Sequence, residues 1–138
     1  MPRRALVVDD EPLVRRTVAR MLRRLGFEAV EAADGAAALA ELERSTDFDL
    51  ATLDWRMPGL AGIQLVERIR SEPRHAHTRL LMVTGVEDVV AVEAALLAGA
   101  DGYLVKPVAP QLADKLAALG LVDEPRPRRA SSESTTGA

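Results

Sequence analysis

The sequence predicts an α/β domain in which a doubly wound, five-stranded parallel sheet is covered by helices on both faces. Two observations favour this fold. Short runs of aliphatic and β-branched residues alternate along the chain with longer stretches of helical periodicity. The connections between these segments are short, and strict β–α alternation of this kind is typical of a parallel sheet buried on both sides. A chain of 138 residues is long enough to bury one substantial core.

Five short apolar runs are predicted to be the strands of this sheet. Each is rich in residues that favour extended structure, and each ends at polar, small or glycine-containing sequence. In chain order the predicted strands cover residues 5–9, 28–32, 49–53, 80–84 and 102–105.

Five stretches with helical spacing are predicted to be the helices, one after each strand. The first is amphipathic and is followed by Gly26, which provides a stop signal. Asp34 is expected to cap the second helix. The predicted helices cover residues 12–25, 34–45, 62–70, 87–99 and 110–120.

The composition excludes several classes of protein. A net charge of −3 is too small to predict general attraction to nucleic acid or to a membrane surface. The absence of cysteine excludes disulfides, thiol catalysis and thiolate metal sites. No apolar run reaches the roughly 18 residues of a membrane span, and the N-terminus becomes acidic too early for a signal peptide. We therefore expect a cytoplasmic protein that inserts in no membrane.

The last residues differ in character from the rest of the chain. Residues 122–138 are rich in Pro, Arg, Ser and Thr and lack apolar periodicity, so we expect a disordered tail or linker after a domain of residues 1–121. The "RPRR" segment in this tail either contacts an acidic partner or is simply solvated.

Charged and polar residues stand at the ends of four predicted strands. The acidic run of Asp9, Asp10 and Glu11 ends the first strand, and Asp54 ends the third. Thr84 ends the fourth, and Lys106 follows the fifth. Taken singly, each has a structural explanation, because acids and Thr cap helices or begin turns and a lone lysine is commonly a surface charge. In an open parallel sheet, however, the carboxyl ends of the strands meet at one edge, where ligands bind.

The predicted cluster favours a divalent cation and phosphoryl-transfer chemistry. Carboxylates this close raise one another's pKa unless positive charge intervenes, and Lys106 alone cannot neutralise three of them. Mg²⁺ is the usual cation where a few carboxylates and a phosphate share a site. An ionised Asp beside Mg²⁺, with a lysine and a hydroxyl nearby, is a suitable phosphoryl acceptor.

Four segments resemble the receiver domain of two-component response regulators, in order and at that family's spacing. They are "LVVDDEPLVRR", "LDWRMPG", "LMVTG" and "GADGYLVKP", and the resemblance extends from residue 4 to about residue 121. The segments are most similar to the single-domain chemotaxis receivers of the CheY type. The resemblance implies a flavodoxin-like strand order of 2-1-3-4-5 and a phospho-accepting signalling function with Mg²⁺ as cofactor.

The resemblance implies roles for the residues of the acidic cluster. Asp54 corresponds to the phospho-acceptor. Asp9, Asp10 and Asp54 correspond to the ligands of Mg²⁺, together with the backbone carbonyl of Arg56. Lys106 corresponds to the residue that binds the phosphoryl group.

Further positions carry implied roles in switching and in phosphoryl lifetime. Thr84 corresponds to the hydroxyl that binds the phosphoryl group and, with the switch aromatic Tyr103, couples phosphorylation to conformation. A cis peptide bond is implied before Pro107. Arg56 and Val86 correspond to the positions that set the dephosphorylation rate. Because Val86 has no polar atom with which to orient water, we expect a long phosphoryl lifetime.

This sequence departs from the family pattern at one position, because Ala61 stands where an Asp is common in the family. We expect a weaker helix cap there and no loss of chemistry.

The resemblance implies two kinds of protein partner and no direct nucleic acid binding. A sensor histidine kinase or phosphotransfer protein is the expected donor. The first helix is expected to contact it through Arg16, Arg20 and Arg24, with Arg15 and Arg23 beside them, and a merely solvated face is the alternative. A downstream target is expected on the fourth helix, fifth strand and fifth helix. On the fourth helix we expect Val89, Val92 and Leu96 to face the core and Val90, Ala94 and Leu97 to lie on another side.

Two rival functions fit less well. A phosphatase of the haloacid dehalogenase class carries a second acid two residues after its nucleophile, where this chain has Arg56, so we expect no turnover of external substrates. A nucleotide-binding fold requires a glycine-rich first turn, which "VVDDEP" does not provide. The remaining alternative is that this chain is the receiver half of a longer regulator whose output domain it lacks.

Three aromatic or titratable residues outside the implied roles have simple interpretations. Trp55, the only tryptophan, is expected either at the rim of the site or packed against the core. His75 and His77 are expected on a surface loop at the end of the sheet opposite the acids.

Overall fold

Each predicted strand forms in the structure of the protein, a computed structural model that describes residues 2–55, 62–85, 89–106 and 111–122. The strands are β1 (Arg3–Val8), β2 (Phe27–Ala32), β3 (Leu50–Asp54), β4 (Arg79–Thr84) and β5 (Gly102–Val105). The helices are α1 (Pro12–Arg24), α2 (Gly35–Arg44), α3 (Gly62–Arg70), α4 (Val89–Ala98) and α5 (Leu112–Ala118), and a short 3-10 helix spans Pro73–His75.

The sheet is parallel throughout and its strand order is β2-β1-β3-β4-β5, which confirms the predicted fold. The order reverses between β1 and β3, and this reversal is where open α/β sheets bind ligands. The β1–β3 register pairs Ala5 with Leu50 and Val8 with Leu53. The next residues along the two strands, Asp9 and Asp54, are therefore brought side by side.

Two apolar layers hold the helices against the sheet. Alternate residues of a strand face opposite sides, so Leu6 and Val8 pack into one layer and Ala5 and Val7 into the other. Helices α2, α3 and α4 cover the first layer, and α1 and α5 cover the second. The sheet is consequently buried on both faces and leaves its carboxyl edge free for a site.

The boundaries agree with the sequence prediction to within two residues for most elements. Asp34 caps α2 as predicted, because its side chain accepts a hydrogen bond of 2.8 Å from the amide of Ala37. Gly26 follows α1 with a φ of 97°, a conformation that glycine adopts without strain. The first strand ends at Val8, so Asp9 lies in the loop rather than in the strand.

The prediction for the two histidines was right for His77 and wrong for His75. His77 is exposed, whereas only 2% of His75 is accessible. His75 ends the short 3-10 helix Pro73–His75 and lines a small pocket together with Leu42 and Ile69, so it is covered instead of exposed to solvent.

The prediction for α4 was right for Leu97 and wrong for Leu96. Leu97 is 89% exposed, but Leu96 is also 45% exposed, and the core contact is made by Ala95. Ala95 belongs to the same buried layer as Leu65, Val66 and Ile69 of α3. The side chains of residues 89–92 lie outside the described part of the chain. So does the predicted tail at 122–138, apart from Val122, which packs against the core layer of α1 and α5.

Among the described residues, no helix combines the length and the apolar character needed to span a membrane.

Candidate functional site

Three carboxylates converge at the carboxyl edge of the sheet. Ligand oxygens of Asp9, Asp10 and Asp54 all lie within 4.8 Å of one another. Asp9 and Asp54 are buried, with 3% and 6% of each residue accessible, whereas Asp10 is exposed. The fold thus brings together the acids that the sequence predicted to share one pocket.

Asp9 is held by contacts on several sides. Its amide donates to the carbonyl of Ala32 at the end of β2, at 3.2 Å. Its carboxylate accepts a hydrogen bond of 2.9 Å from the amide of Glu11, which satisfies one free donor near the start of α1. This geometry fixes the loop between β1 and α1.

Lys106 is the cation that the described part of the site provides. Its Nζ lies 3.3 Å from Asp9, 3.6 Å from Asp54 and 3.4 Å from Glu11. Burial lowers the pKa of Lys106, but the charges of Asp54 and Asp9, the hydrogen bond to Asp9 and the charge of Glu11 together raise it above its ordinary value. The lysine is therefore firmly charged, yet it is shared among three acids.

The contact between Glu11 and Lys106 was not predicted from the sequence. Glu11 was noted only as part of the acidic run that ends β1, and the run itself was the available signal. With 63% of its side chain exposed, Glu11 lies at the rim of the site and competes with the buried acids for Lys106.

The donor set suits a hard divalent cation. Carboxylate oxygens at this spacing are the ligands that Mg²⁺ prefers, and the acids exceed the local positive charge. Asp9, Asp10 and Asp54 are the described residues that would hold such an ion. Arg56, whose backbone carbonyl is the other predicted ligand, lies outside the described residues.

The remaining predicted site residues are described only in part. Thr84 ends β4 and pairs in register with Val105, so its backbone is beside the start of the Lys106 loop, but its side chain is outside the description. Tyr103 is half-buried against the core layer of α2, α3 and α4. Val86 and Pro107 lie outside the described residues.

Trp55 is half-buried beside the site and packs against the core layer of α2, α3 and α4. The core-packing interpretation of this residue is confirmed, and a position of its ring at the rim of the site stays a prediction. Its backbone carbonyl accepts a hydrogen bond of 3.3 Å from the amide of Gly62, at the beginning of α3.

Gly62 is a second residue that the sequence analysis missed. A Cβ at this position would collide with the backbone carbonyl oxygen of Asp54 and would lie 2.9 Å from the terminal methyl of Met82. Because only glycine permits this approach, α3 can begin directly against the backbone of Asp54. The sequence gives no signal for this contact, because it depends on how closely α3 approaches β3.

The fold and the acidic edge define a class of signalling domain, and comparison with known proteins agrees. The family model described as "Response regulator receiver domain" matches residues 5–117, so this chain belongs to that family. Its curated relatives are single-domain receivers of the CheY type.

Individual relatives cover most of the chain. "Chemotaxis protein CheY-3" of Vibrio cholerae is 42% identical over 113 residues, which is 80% of this chain and 86% of that protein. The structure of Vibrio cholerae CheY4 is 32% identical, with a TM-score of 0.78 over 88% of this chain and 99% of that one. A Burkholderia pseudomallei response regulator, whose structure holds a phosphorylated aspartic acid, a calcium ion and citrate, is 29% identical, with a TM-score of 0.75 over 85% of this chain and 66% of that one.

Proposed function

We propose that this protein is a phospho-accepting receiver in which Asp54 takes a phosphoryl group from a phosphohistidine. The observation that carries the proposal is the buried carboxylate of Asp54, which lies with Asp9 and Asp10 in one acidic cluster and 3.6 Å from Lys106. A carboxylate kept ionised by a neighbouring cation is a competent nucleophile.

The proposed reaction is a single displacement at phosphorus. An oxygen of Asp54 forms the new P–O bond while the P–N bond of the donor breaks, and the imidazole leaves with the electron pair of that bond and is protonated. Bound Mg²⁺ would neutralise the equatorial phosphoryl oxygens. Lys106 is placed to contribute positive charge to the same oxygens, provided that it leaves Glu11, its most exposed partner.

A solved relative supports the pairing of aspartyl phosphate and divalent cation. The Burkholderia response regulator contains a phosphorylated aspartic acid and a calcium ion in one structure. The corresponding state of this chain would place the phosphoryl group on Asp54 and the cation between Asp9 and Asp10.

The proposal includes no turnover of an external substrate. In this mechanism the protein is itself phosphorylated, and its product is a changed binding surface. The cytoplasmic location and the sensor kinase or phosphotransfer partner predicted from the sequence belong to the same proposal.

The partner surface that best supports signalling is formed by α4, β5 and α5. Leu97 and Leu96 expose apolar side chains on α4, at 89% and 45% accessibility. Tyr103 on β5 is half-buried, and Lys115 of α5 lies with its Nζ 5.8 Å from the centre of the Tyr103 ring. Exposed leucines and a partly exposed aromatic side chain are typical of a protein-binding surface.

The surface that best supports donor docking is the outer face of α1. Leu13 is 77% exposed one turn from the acidic cluster, and Arg16, Arg20 and Arg24 are exposed along the same helix. An apolar contact flanked by positive charge would steer an acidic partner to the site.

The test of the proposal is phosphorylation by a small donor. Incubation with acetyl phosphate and Mg²⁺ should add one phosphoryl group by intact mass. We expect Asp54→Asn to abolish the added mass, and we expect the exposed carboxylate variant Asp114→Asn to retain it. Equal labelling of Asp54→Asn and the wild type would show that the acceptor lies elsewhere.

A further inference from the structure

We infer that Arg15 is a positioning residue that orients the Asp9–Asp10 peptide group so that both carboxylates face one divalent cation. As far as the cation is concerned, this inference rests on the function proposed above. It concerns a residue to which neither the sequence analysis nor the family resemblance gave a role in the site.

The side chain of Arg15 bridges two elements. Its Nη1 donates a hydrogen bond of 3.0 Å to the backbone carbonyl of Asp9, and its Nε donates one of 3.1 Å to the carboxylate of Glu31 on β2. Only 15% of the Arg15 side chain is accessible. Arg15 therefore ties α1, the loop after β1 and the edge strand together at the acidic cluster.

Neighbouring arginines on α1 do not share this arrangement. Arg16 is exposed, and no hydrogen bond or ion pair joins it to any residue that the structure describes. Arg23 contacts Glu31 more distantly, at 3.9 Å, with 52% of its side chain exposed. The inward contact is specific to Arg15, although the sequence alone placed all of these arginines on one basic helix.

The carbonyl that Arg15 holds belongs to the peptide group that joins two metal-ligand candidates. Asp9 is also fixed through its amide and its carboxylate. Asp10 is exposed, and within the described part of the chain no side chain or amide donates to its carboxylate. The direction of the Asp10 carboxylate consequently depends on the Asp10 backbone. Arg15 restrains that backbone through its hydrogen bond to the carbonyl of Asp9.

Two effects of Arg15 on cation binding oppose each other. Its positive charge repels a cation, whereas its hydrogen bond to the Asp9 carbonyl pre-organises the ligands. Because Glu31 lies 3.1 Å away and offsets the charge, the pre-organising effect should dominate. A planar guanidinium can serve both acceptors at once, and a lysine ammonium on a flexible stem cannot do so in the same geometry.

The experiment compares Mg²⁺ affinity in four proteins by isothermal titration calorimetry, with the fluorescence of Trp55 as a second readout. The proteins are the wild type, Arg15→Met, Arg15→Lys and the matched control Arg16→Met. We expect Arg15→Met to weaken Mg²⁺ binding about tenfold. Arg15→Lys should weaken it by a smaller factor even though it retains the charge, and Arg16→Met should remain close to the wild type.

The unfolding free energy of each protein in EDTA separates positioning from a merely structural role. A structural role would lower this free energy and leave the Mg²⁺ affinity of the folded protein unchanged, and that result would overturn the inference. Tighter Mg²⁺ binding by Arg15→Met would overturn it too, because charge repulsion would then be the larger effect. If Arg15→Met does not fold, Arg15→Lys replaces it in this comparison, and an unchanged or tighter Mg²⁺ affinity of Arg15→Lys would overturn the inference.

Failure of the proposed function gives a different pattern. A wild-type protein that binds no Mg²⁺ would contradict the proposed function and, with it, this inference. A wild type that binds Mg²⁺ and is labelled by acetyl phosphate, alongside Arg15 variants of equal affinity, would overturn the role of Arg15 alone.

Discussion

The two edges of the sheet use charge in opposite ways. At the amino edge, Arg70 donates to the carbonyls of Gly99, His75 and Thr78 at 2.9, 3.1 and 2.7 Å, and to the carboxylate of Asp101 at 2.9 Å. At the carboxyl edge, the carboxylates of Asp9, Asp10 and Asp54 cluster, and Lys106 lies within 3.6 Å of those of Asp9 and Asp54.

At the amino edge, the charged groups of Arg70 and Asp101 are paired and hydrogen-bonded. Asp101 receives the Arg70 guanidinium and also a hydrogen bond of 2.8 Å from the amide of Leu80, which joins α3, β4 and the loop before β5. A charged network with its partners in place stabilises the fold and offers nothing to a ligand.

At the carboxyl edge, the clustered carboxylates outnumber the lysine beside them, and this excess of negative charge favours cation binding. Crowded acids lower stability in the absence of a cation, but they provide a site that a cation and a phosphoryl group can complete. The comparison indicates that this fold places stability at one end of its strands and chemistry at the other.

The largest expected effect comes from breaking the amino edge. Arg70→Met removes four hydrogen bonds and leaves their acceptors without this donor. We expect the free energy of unfolding in urea to fall by about 3 kcal/mol. Mg²⁺ affinity of the folded protein should be unchanged. Arg68→Met, an exposed arginine on the same helix, is the control, and an equal loss in both variants would contradict the prediction.

A smaller effect is expected where backbone packing supports the carboxyl edge. Gly62→Ala places a methyl group against the carbonyl of Asp54, and the gain in helix propensity offsets only part of the cost. We expect a loss of about 1 to 2 kcal/mol in unfolding free energy, together with weaker Mg²⁺ binding. Gly85→Ala is the control, because no described residue other than its chain neighbours has an atom within 4 Å of the added carbon. Unchanged Mg²⁺ affinity in Gly62→Ala would show that Asp54 tolerates the shift.

Loss of one carboxylate should raise the free energy of unfolding at the carboxyl edge and lower it at the amino edge. Without metal, Asp54→Asn relieves repulsion among the clustered acids, while Lys106 keeps Asp9 and Glu11 as partners. We expect its unfolding free energy in EDTA to rise by about 1 kcal/mol. Asp101→Asn weakens the pair with Arg70 and should lower the same quantity. Added Mg²⁺ should stabilise the wild type more than Asp54→Asn. A loss of stability in metal-free Asp54→Asn would contradict the contrast between the edges.

The smallest expected effect is a pH dependence at the amino edge. Burial, followed by the charge of Arg74, lowers the pKa of His75 from its ordinary value of 6.5. The unfolded chain then binds a proton that the folded protein takes up less readily, so stability is complete above pH 6.5 and declines as the pH falls below it. His75→Leu should show a shallower decline in unfolding free energy, and His77→Leu should follow the wild type. Parallel curves for all three proteins would show that His75 does not contribute.

The sequence by itself determined the parts of this protein that depend on periodicity and chain order. Alternating apolar runs predicted the five strands, and helical spacing predicted the five α-helices that the structure describes, because both patterns follow from local backbone geometry. The short 3-10 helix Pro73–His75 was not predicted. The convergence of Asp9, Asp10 and Asp54 was also predictable, since parallel strands present their carboxyl ends at one edge.

Only the tertiary structure decided which side chains meet across elements. The helical pattern predicted only that Arg15 lies beside the basic stripe of Arg16, Arg20 and Arg24, and the contact with Glu31 on a neighbouring strand appears only in the tertiary structure. The sequence around His75 predicts a surface loop, and only the tertiary structure shows that His75, in the 3-10 helix that begins at Pro73, is buried. Gly62 has no side chain to interpret, and its importance comes from the approach of α3 to Asp54. These contacts depend on distances between segments that are remote in the chain, and a local pattern carries no information about such distances.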